Sequence, residues 1–195
     1  MHKRNILLVI LLVLLVLAAV SFALTFRTHT GWVDDRVAYG NVELEVIENT
    51  LSGGVEVPFT QDTPVYISAD EYSRIVRVKN TGKHPVYVRV ALSLTAADSS
   101  GQETVLPADF FSFNINTNDW KESDGWYYYE SADLTENEET NTLMTKIMFN
   151  HTKLSVVAGG QLTLHIRAEA VQSENNGNNV WQAAGWPTDR GGDTK

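Results

Sequence analysis

Histidine, serine and cysteine are the side chains that hydrolytic chemistry would most often require. The five histidines form neither a His-x-x-x-His nor a His-Glu-x-x-His arrangement, the spacing with which a helix presents two ligands to zinc. A Gly-x-Ser-x-Gly turn, which would mark a serine nucleophile, does not occur, and the chain has no cysteine. We therefore predict that the protein is not an enzyme and has no catalytic residue, no metal ligand and no cofactor.

Carboxylates are the next candidates for chemistry. Asp34-Asp35 lies in a region without clear periodicity, and residues 136–139 belong to a polar run that is typical of a solvated loop. The segment NTNDWKESDG, residues 116–125, is rich in oxygen ligands but lacks the spacing of an EF-hand calcium loop. These side chains predict a solvated surface rather than a catalytic pair or a calcium site.

A run of aromatic residues is the remaining candidate for a binding site. Residues 126–129, Trp-Tyr-Tyr-Tyr, follow the turn signal Asp124-Gly125. Aromatic rings can stack on sugars, but they also supply much of the buried surface of a β-sandwich. We favour packing, with Trp126 and Tyr128 facing the core and the other two tyrosines facing outward. The glycan-binding alternative stays open for the whole aromatic set: Trp120, Trp126, Tyr127, Tyr128 and Tyr129, together with Trp181 and Trp186.

Alternation of apolar and polar residues predicts β-strands along most of the chain. In VYVRVALSL, residues 86–94, every second residue from Val86 is apolar, and Arg89 lies on the opposite face. In QLTLHIRAEAVQ, residues 161–172, Leu162 to Ala170 alternate with an outward set that includes Glu169. Many such stretches, separated by Gly and Asn turns and not by long helices, predict an all-β antiparallel sandwich.

Three short segments have less regular patterns. Residues 69–73 and 180–185 are each predicted to form about one turn of helix. Leu154 and Val156 lead to a predicted turn at Gly159-Gly160.

The N-terminus has the three parts of a secretory signal peptide. A short basic start precedes an unbroken apolar run, residues 6–20, and Ser-Phe-Ala at 21–23 places small residues where a signal peptidase reads them. We predict cleavage between Ala23 and Leu24. The alternative is an uncleaved membrane anchor through residues 6–26, a stretch nearly long enough to span a bilayer. Both alternatives predict a secreted protein or one exposed at the cell surface.

Charge and composition limit the partners of this protein. Loss of the leader removes Lys3 and Arg4, which leaves 13 basic against 24 acidic side chains and a formal charge of −11. Such an acidic surface repels nucleic acid and anionic lipid. About 170 residues can bury a sizeable core without disulfides. We therefore predict a leader (1–23), an N-terminal segment (24–40), one β-sandwich domain (41–186) and a mobile tail (187–195).

Several motifs occur in a recognisable order. They are AYGNVELEVIE, RVKNTGKHPVYVRVALSL, DWKESDGWYYYESADL and LTLHIRAEAVQ, the last followed by Trp181. This order resembles the TasA/camelysin family of exported proteins of Firmicutes. The resemblance implies a jelly-roll-like sandwich, processing by a dedicated ER-type signal peptidase, and a role as a biofilm matrix subunit.

The resemblance also implies self-association, because TasA-like subunits form fibres by donating an N-terminal strand to a neighbour. The donor candidates here are residues 24–40 or the strand containing Val42, Leu44 and Val46. The leading hypothesis is an exported, non-enzymatic structural protein of the cell surface or extracellular matrix. The alternatives are a β-sandwich module that binds carbohydrate or cell-wall glycan and a camelysin-type metalloendopeptidase, for which the chain has no zinc motif.

Overall fold

The computed structural model describes residues 42–60, 71–97, 102–154 and 161–187. The predicted leader with its cleavage site at Ala23 and Leu24, the segment 24–40 and residues 188–195 lie outside these ranges. The strands are β1 (Leu44–Ser52), β2 (Val55–Pro58), β3 (Glu71–Asn80), β4 (Val86–Ala97), β5 (Glu103–Val105), β6 (Phe111–Ile115), β7 (Trp120–Ser123), β8 (Trp126–Tyr129), β9 (Met144–Phe149) and β10 (Gln161–Gln172), and a helical turn, α1 (His151–Leu154), follows β9.

The strands form two antiparallel sheets. The first sheet has the order β2-β1-β3-β9-β6, and the second has the order β10-β4-β8-β7 with β5 also paired to β4. The chain enters the second sheet at β4, returns to the first for β6, visits the second for β7 and β8, returns for β9 and ends in the second at β10. This repeated crossing gives a jelly-roll-like arrangement, and the prediction of an all-β antiparallel sandwich is confirmed. The described residues contain no helix long and apolar enough to cross a membrane.

The core between the sheets is centred on Trp120, which is fully buried. Its ring centroid is 5.0 Å from that of Tyr129, and its indole N–H donates to the carbonyl of Asn141 at 3.2 Å. This bond satisfies the one polar atom of the indole, so the whole side chain can be buried without an unpaired donor. Apolar residues from both sheets fill the space around it: Val76, Val78, Val86, Val88, Val90, Leu94, Leu143 and Met144.

The Asp124-Gly125 turn decides which aromatic rings enter this core. Ser123 pairs with Trp126, so only two residues form the turn, both with positive φ (53° and 79°). An Asp-Gly pair is favoured in this mirror-image turn. The resulting register pairs Trp120 with Tyr129, and directly opposed residues of antiparallel strands share a face.

The predicted orientation of the four aromatics is therefore wrong. Tyr129 follows its partner Trp120 into the core, and Tyr127, two residues earlier, packs against the same core. Trp126 and Tyr128 lie on the outer face of the second sheet, where both rings approach Arg89. The sequence pattern could not reveal this because large rings occupy both faces of the strand.

Two of the three irregular segments also differ from expectation. Residues 71–73 begin β3, where Tyr72 pairs with Ile147 of β9, and do not form a helix. Residues 180–182 form a turn in which the Asn179 side chain accepts the N–H groups of Trp181 and Gln182 at 3.1 and 3.2 Å. Leu154 ends the helical turn α1, and the predicted turn at Gly159-Gly160 lies outside the described residues.

Asn80 connects the end of β3 to two neighbouring segments. Its side chain is fully buried and donates to the carbonyls of His84 and Leu134, both at 2.9 Å. Its amide oxygen accepts the N–H of Gly82 at 2.9 Å. One buried amide therefore makes three hydrogen bonds to the backbone. The Leu134 carbonyl also accepts the N–H of Val86, and the Gly82 N–H also bonds to the carbonyl of Glu43.

The β1–β2 hairpin is linked to β3 by an ion pair on the outer surface. Arg77 donates to both carboxylate oxygens of Glu56 at 2.6 and 3.0 Å, and Asn49 donates to the same carboxylate at 2.6 Å. The Arg77 and Asn49 hydrogen bonds lower the pKa of Glu56 to about 2. Because Glu56 is exposed, solvent and salt weaken the contribution of this pair to stability.

We predict that Asn80→Ala lowers the free energy of unfolding by about 3 kcal/mol, because three hydrogen bonds from one buried side chain to the backbone are lost. Urea denaturation of the parent and the variant measures this change. The matched control is Asn118→Ala at an exposed position, which should change stability by less than about 0.5 kcal/mol. Equal small effects of the two substitutions would contradict the role assigned to Asn80.

We predict that Glu56 titrates near pH 2 in the folded protein. A depressed carboxyl pKa contributes stability above the ordinary glutamate value, and that contribution is lost as the pH falls toward the folded-state pKa. The substitution Arg77→Met should move the Glu56 titration upward, as followed by NMR of the side-chain carboxyl. Lys83→Met, which removes an exposed cation elsewhere, should leave it unchanged; an ordinary titration of Glu56 in the parent would refute the prediction.

Candidate functional site

Strand β10 forms one edge of the second sheet. It pairs with β4 without a register break from Gln161↔Ala97 to Gln172↔Val86. Within the segments that the structure describes, no strand pairs with its other side. In general, the outward backbone groups of an edge strand can bond to another chain. Twelve residues of extended strand provide such a row over about 40 Å.

The other edge strands are protected in ways that β10 is not. Strands β2 and β7 have four residues each, and the first of them ends at Pro58. Strand β6 has five residues, and its pairing with β9 is irregular. Shortness, proline, lysine and bulges are the usual means of preventing edge-to-edge association. Strand β10 has twelve residues, no proline, no lysine and no irregularity in its pairing.

The inward face of β10 agrees with the sequence pattern. Ala168 and Ala170 are buried in the core, and Leu162, Leu164 and Ile166 pack against it. This apolar row fixes the register, because a shift by one residue would turn it toward solvent. The edge is therefore held in one orientation by the core beneath it.

Glu169 lies on the outward face of β10, as the alternation predicts. The alternation does not predict that this side chain is buried. Its carboxylate oxygen Oε2 accepts two bonds from Arg89, at 2.9 and 2.6 Å. The other oxygen, Oε1, lies 2.6 Å from a terminal nitrogen of Arg167. The Glu169 side chain is fully buried and that of Arg89 is 10% exposed, so this is a buried ion pair between directly opposed residues of β4 and β10.

Aromatic rings cover the Arg89 guanidinium. Its central carbon is 4.1 Å from the ring centroid of Trp126 and 4.7 Å from that of Trp186. Arg89 also donates to the hydroxyl of Tyr128 at 3.1 Å and to the carbonyl of Pro187 at 3.0 Å. The cation is thus placed against the negative faces of two indoles, and it binds the chain that follows β10.

That following chain, residues 173–187, forms a strap across the outer face of the second sheet. Val180 is buried there together with Tyr87 and Val171, and Ala183 and Trp186 pack against them. Asn176 shapes the strap by donating to the carbonyls of Gln172 and Ala184, both at 2.9 Å. The sequence pattern missed this second, smaller core because its residues are spread over several strands and the strap.

Within the described residues, four large hydrophobic side chains are exposed. Trp181 is the aromatic one, with 46% of its surface accessible. Its ring centroid is 4.6 Å from that of Tyr128, and the planes are inclined by 35°. Its indole N–H donates to a carboxylate oxygen of Glu130. These two contacts hold the exposed indole in one orientation on the strap.

His165 takes part in a polar cluster at the other end of β10. Its Nε2 is 2.9 Å from the hydroxyl of Thr95 and 3.7 Å from a carboxylate oxygen of Glu103. A catalytic triad requires the nucleophile and the acid to bond to different ring nitrogens. Thr95 and Glu103 both approach the same ring nitrogen. The cluster therefore connects β4, β5 and β10 but does not form a proton relay.

The segment of residues 116–125 also uses its oxygen atoms within the protein. Asp119 accepts hydrogen bonds from the side chains of Ser131 and Asn116. These bonds, with that from Ser131 the largest contribution, lower the pKa of the Asp119 carboxyl. Within the described ranges, no three His, Cys, Asp or Glu side chains are grouped closely enough to hold a metal ion.

The residues predicted for strand donation and those predicted for glycan binding are mostly used in packing. Val42 is buried, and Leu44 and Val46 pack against the core of their own subunit. Strand β1 pairs with β3 along this stretch, so donating it would require breaking that pairing. Of the aromatics, Trp120, Trp126 and Tyr129 are buried and Tyr127 and Tyr128 are partly buried, so packing accounts for most of their ring surface.

Comparison of the chain with protein-family models, with curated proteins and with solved structures gave no match.

We predict that Arg89→Met destabilises the fold by about 3 kcal/mol, because it removes both hydrogen bonds that Arg89 donates to a buried carboxylate oxygen. The double variant Arg89→Met/Glu169→Leu should recover most of the lost stability, since it removes the charge as well. The control Arg167→Met acts on the more exposed partner and should have a smaller effect. Urea denaturation measures all three; a double variant less stable than Arg89→Met would contradict the assignment.

Proposed function

We propose that this chain is an exported, non-enzymatic structural protein of the cell surface or extracellular matrix, and that it assembles into fibres by strand donation. The observation that supports this most directly is the edge of β10, which is long and regular and has no strand of the described segments paired to its outer side. Addition of a strand from another chain would satisfy the outward backbone groups of this edge. The resemblance to the TasA/camelysin family, carried by the ordered motifs, supports the same function.

The donor in this proposal is residues 24–40 of a neighbouring subunit. They number more than the twelve residues of β10, and cleavage between Ala23 and Leu24 would release them at a new N-terminus. The segment contains two arginines and two aspartates, so it carries no formal net charge. Its pairing with β10 is therefore not opposed by the strongly acidic charge of the whole chain.

That acidic charge instead governs how closely subunits approach. At a formal charge of about −11 the subunits repel one another over roughly a Debye length, which is about 10 Å in 0.1 M salt. Lower pH neutralises carboxylates, and added salt screens them. Both changes are expected to favour assembly, whereas low salt at neutral pH favours separate subunits.

The proposed partners follow from this route. One is the signal peptidase that would expose the donor segment, and the other is a second copy of this chain or a related matrix subunit. Disulfide cross-linking of the donor segment to β10 is the sharpest test. Because the chain has no cysteine, an introduced cysteine can pair only with another introduced cysteine.

We predict that residues 24–195, at neutral and acidic pH, form fibres visible by electron microscopy. With Thr163→Cys on β10 and Thr28→Cys in the donor segment, oxidation should link subunits between these positions if they come into register. A series of donor cysteines from residue 26 to 32 covers neighbouring registers.

The matched control places the cysteine at Val55 on the edge strand β2, where efficient linking is not expected. Persistent monomers under all conditions would contradict fibre formation. Fibres that cross-link through β2 and not through β10 would instead contradict the assigned edge.

A further inference from the structure

We propose that Trp181 and the polar groups around it form a binding site for a neutral polysaccharide. The site lies on the strap, on the outer face of the second sheet, and is therefore distinct from the edge of β10 proposed for assembly. A monomer contains all of its described parts, so the site does not depend on fibre formation.

The indole of Trp181 has the properties of a sugar-stacking platform. It combines an exposed apolar ring with a fixed orientation, set by Tyr128 beneath it and by the bond to Glu130. A ring that is already ordered loses little conformational entropy when a ligand binds. The C–H face of a sugar ring is flat and weakly apolar, and it matches an indole face in both size and polarity.

The platform is held from below by the buried ion pair. Tyr128, which contacts Trp181, receives a hydrogen bond from Arg89 at 3.1 Å, and Arg89 is bonded to Glu169. The Tyr128 ring also meets Trp186 nearly at a right angle, with centroids 5.8 Å apart. The exposed ring thus rests directly on β8 through Tyr128, and Tyr128 is fixed in turn by Arg89 of β4 and by Trp186 of the strap.

The surroundings of the ring favour hydroxyl groups over anions. Exposed amides at Asn178, Asn179 and Gln182 lie next to Trp181 along the strap. The side-chain oxygens of Asn179 and Gln182 accept backbone N–H groups within the strap, and amide nitrogens can donate to sugar hydroxyls. Glu130 adds a carboxylate acceptor. Residues 173–187 contain two tryptophans and several amides but no lysine or arginine, so a phosphate or uronate polymer would meet no cation on the strap.

A single exposed ring also limits the type of partner. A stable protein interface buries on the order of 1,200 Å² or more in total, whereas Trp181 is a lone exposed aromatic on a polar strap. One sugar-stacking contact gives weak affinity, so the dissociation constant for a short oligosaccharide should lie in the millimolar range. A long polymer offers repeated sites and is held more strongly by many copies.

The test uses the purified chain at low concentration and neutral pH. Cellohexaose, a neutral β-glucan oligomer, and soluble dextran serve as probes, with the anionic polymer alginate as a comparison. Binding is followed by the NMR resonance of the Trp181 indole N–H and by retardation in gels containing each polymer. We expect a saturable shift and retardation with at least one neutral glucan, and neither with alginate.

Trp181→Ala should weaken this binding at least tenfold, and Trp181→Phe should retain part of it. Because Trp181 is largely exposed, the urea midpoint should hardly change, which separates loss of binding from loss of fold. As a matched control, Val105→Ala removes another exposed apolar side chain and should bind like the parent.

Equal binding by the parent and Trp181→Ala would overturn the proposal, as would the absence of binding to both neutral polymers or a preference for alginate. Sedimentation of the same variants tests the alternative that Trp181 contacts a second copy of the chain. If Trp181→Ala abolishes self-association and does not affect glucan binding, the ring is a contact between copies of the chain and the proposal fails. Loss of glucan binding without change in fibre formation supports the glycan site and leaves the assembly proposal independent.

Discussion

The buried pair of Arg89 and Glu169 is the interaction on which the outer half of this molecule depends. It joins two strands whose residues are separated by 80 positions, and it orients the aromatic rings that cover it. Without Arg89, the Trp186 ring and the carbonyl of Pro187 would lose the cation they contact. The Trp126 ring would retain Arg167, whose guanidinium carbon is 5.2 Å from the ring centroid. The need to pair a buried charge therefore determines the position of the strap and the orientation of Trp181.

Much of the sandwich could be predicted from alternation alone. The inward residues of β4 and β10 follow the pattern because a strand places every second side chain on one face. The orientation of the Trp-Tyr-Tyr-Tyr run could not be predicted in this way, since its register depends on Trp120 in the partner strand. Likewise, Arg89 and Glu169 are ordinary outward charges until the pairing of β4 with β10 is known.

The two surfaces considered for function differ in their physical basis. The edge of β10 offers backbone groups, whose bonding is independent of side-chain identity and suits a repeating contact between identical subunits. Trp181 offers a side-chain surface whose orientation depends on particular neighbours. Because the first lies at the edge of the sheet and the second on its outer face, one subunit can engage a neighbour and an extended polymer through different groups.

The long continuous pairing of β4 with β10 also affects the order in which the chain folds. Strand β10 is the last strand of the described fold, so the second sheet cannot be completed until nearly the whole polypeptide is available. Contacts between such distant residues form slowly, because a large loop must close first. A chain with this topology remains unfolded for longer during synthesis, and the edge of β10 exists only once this strand has paired with β4.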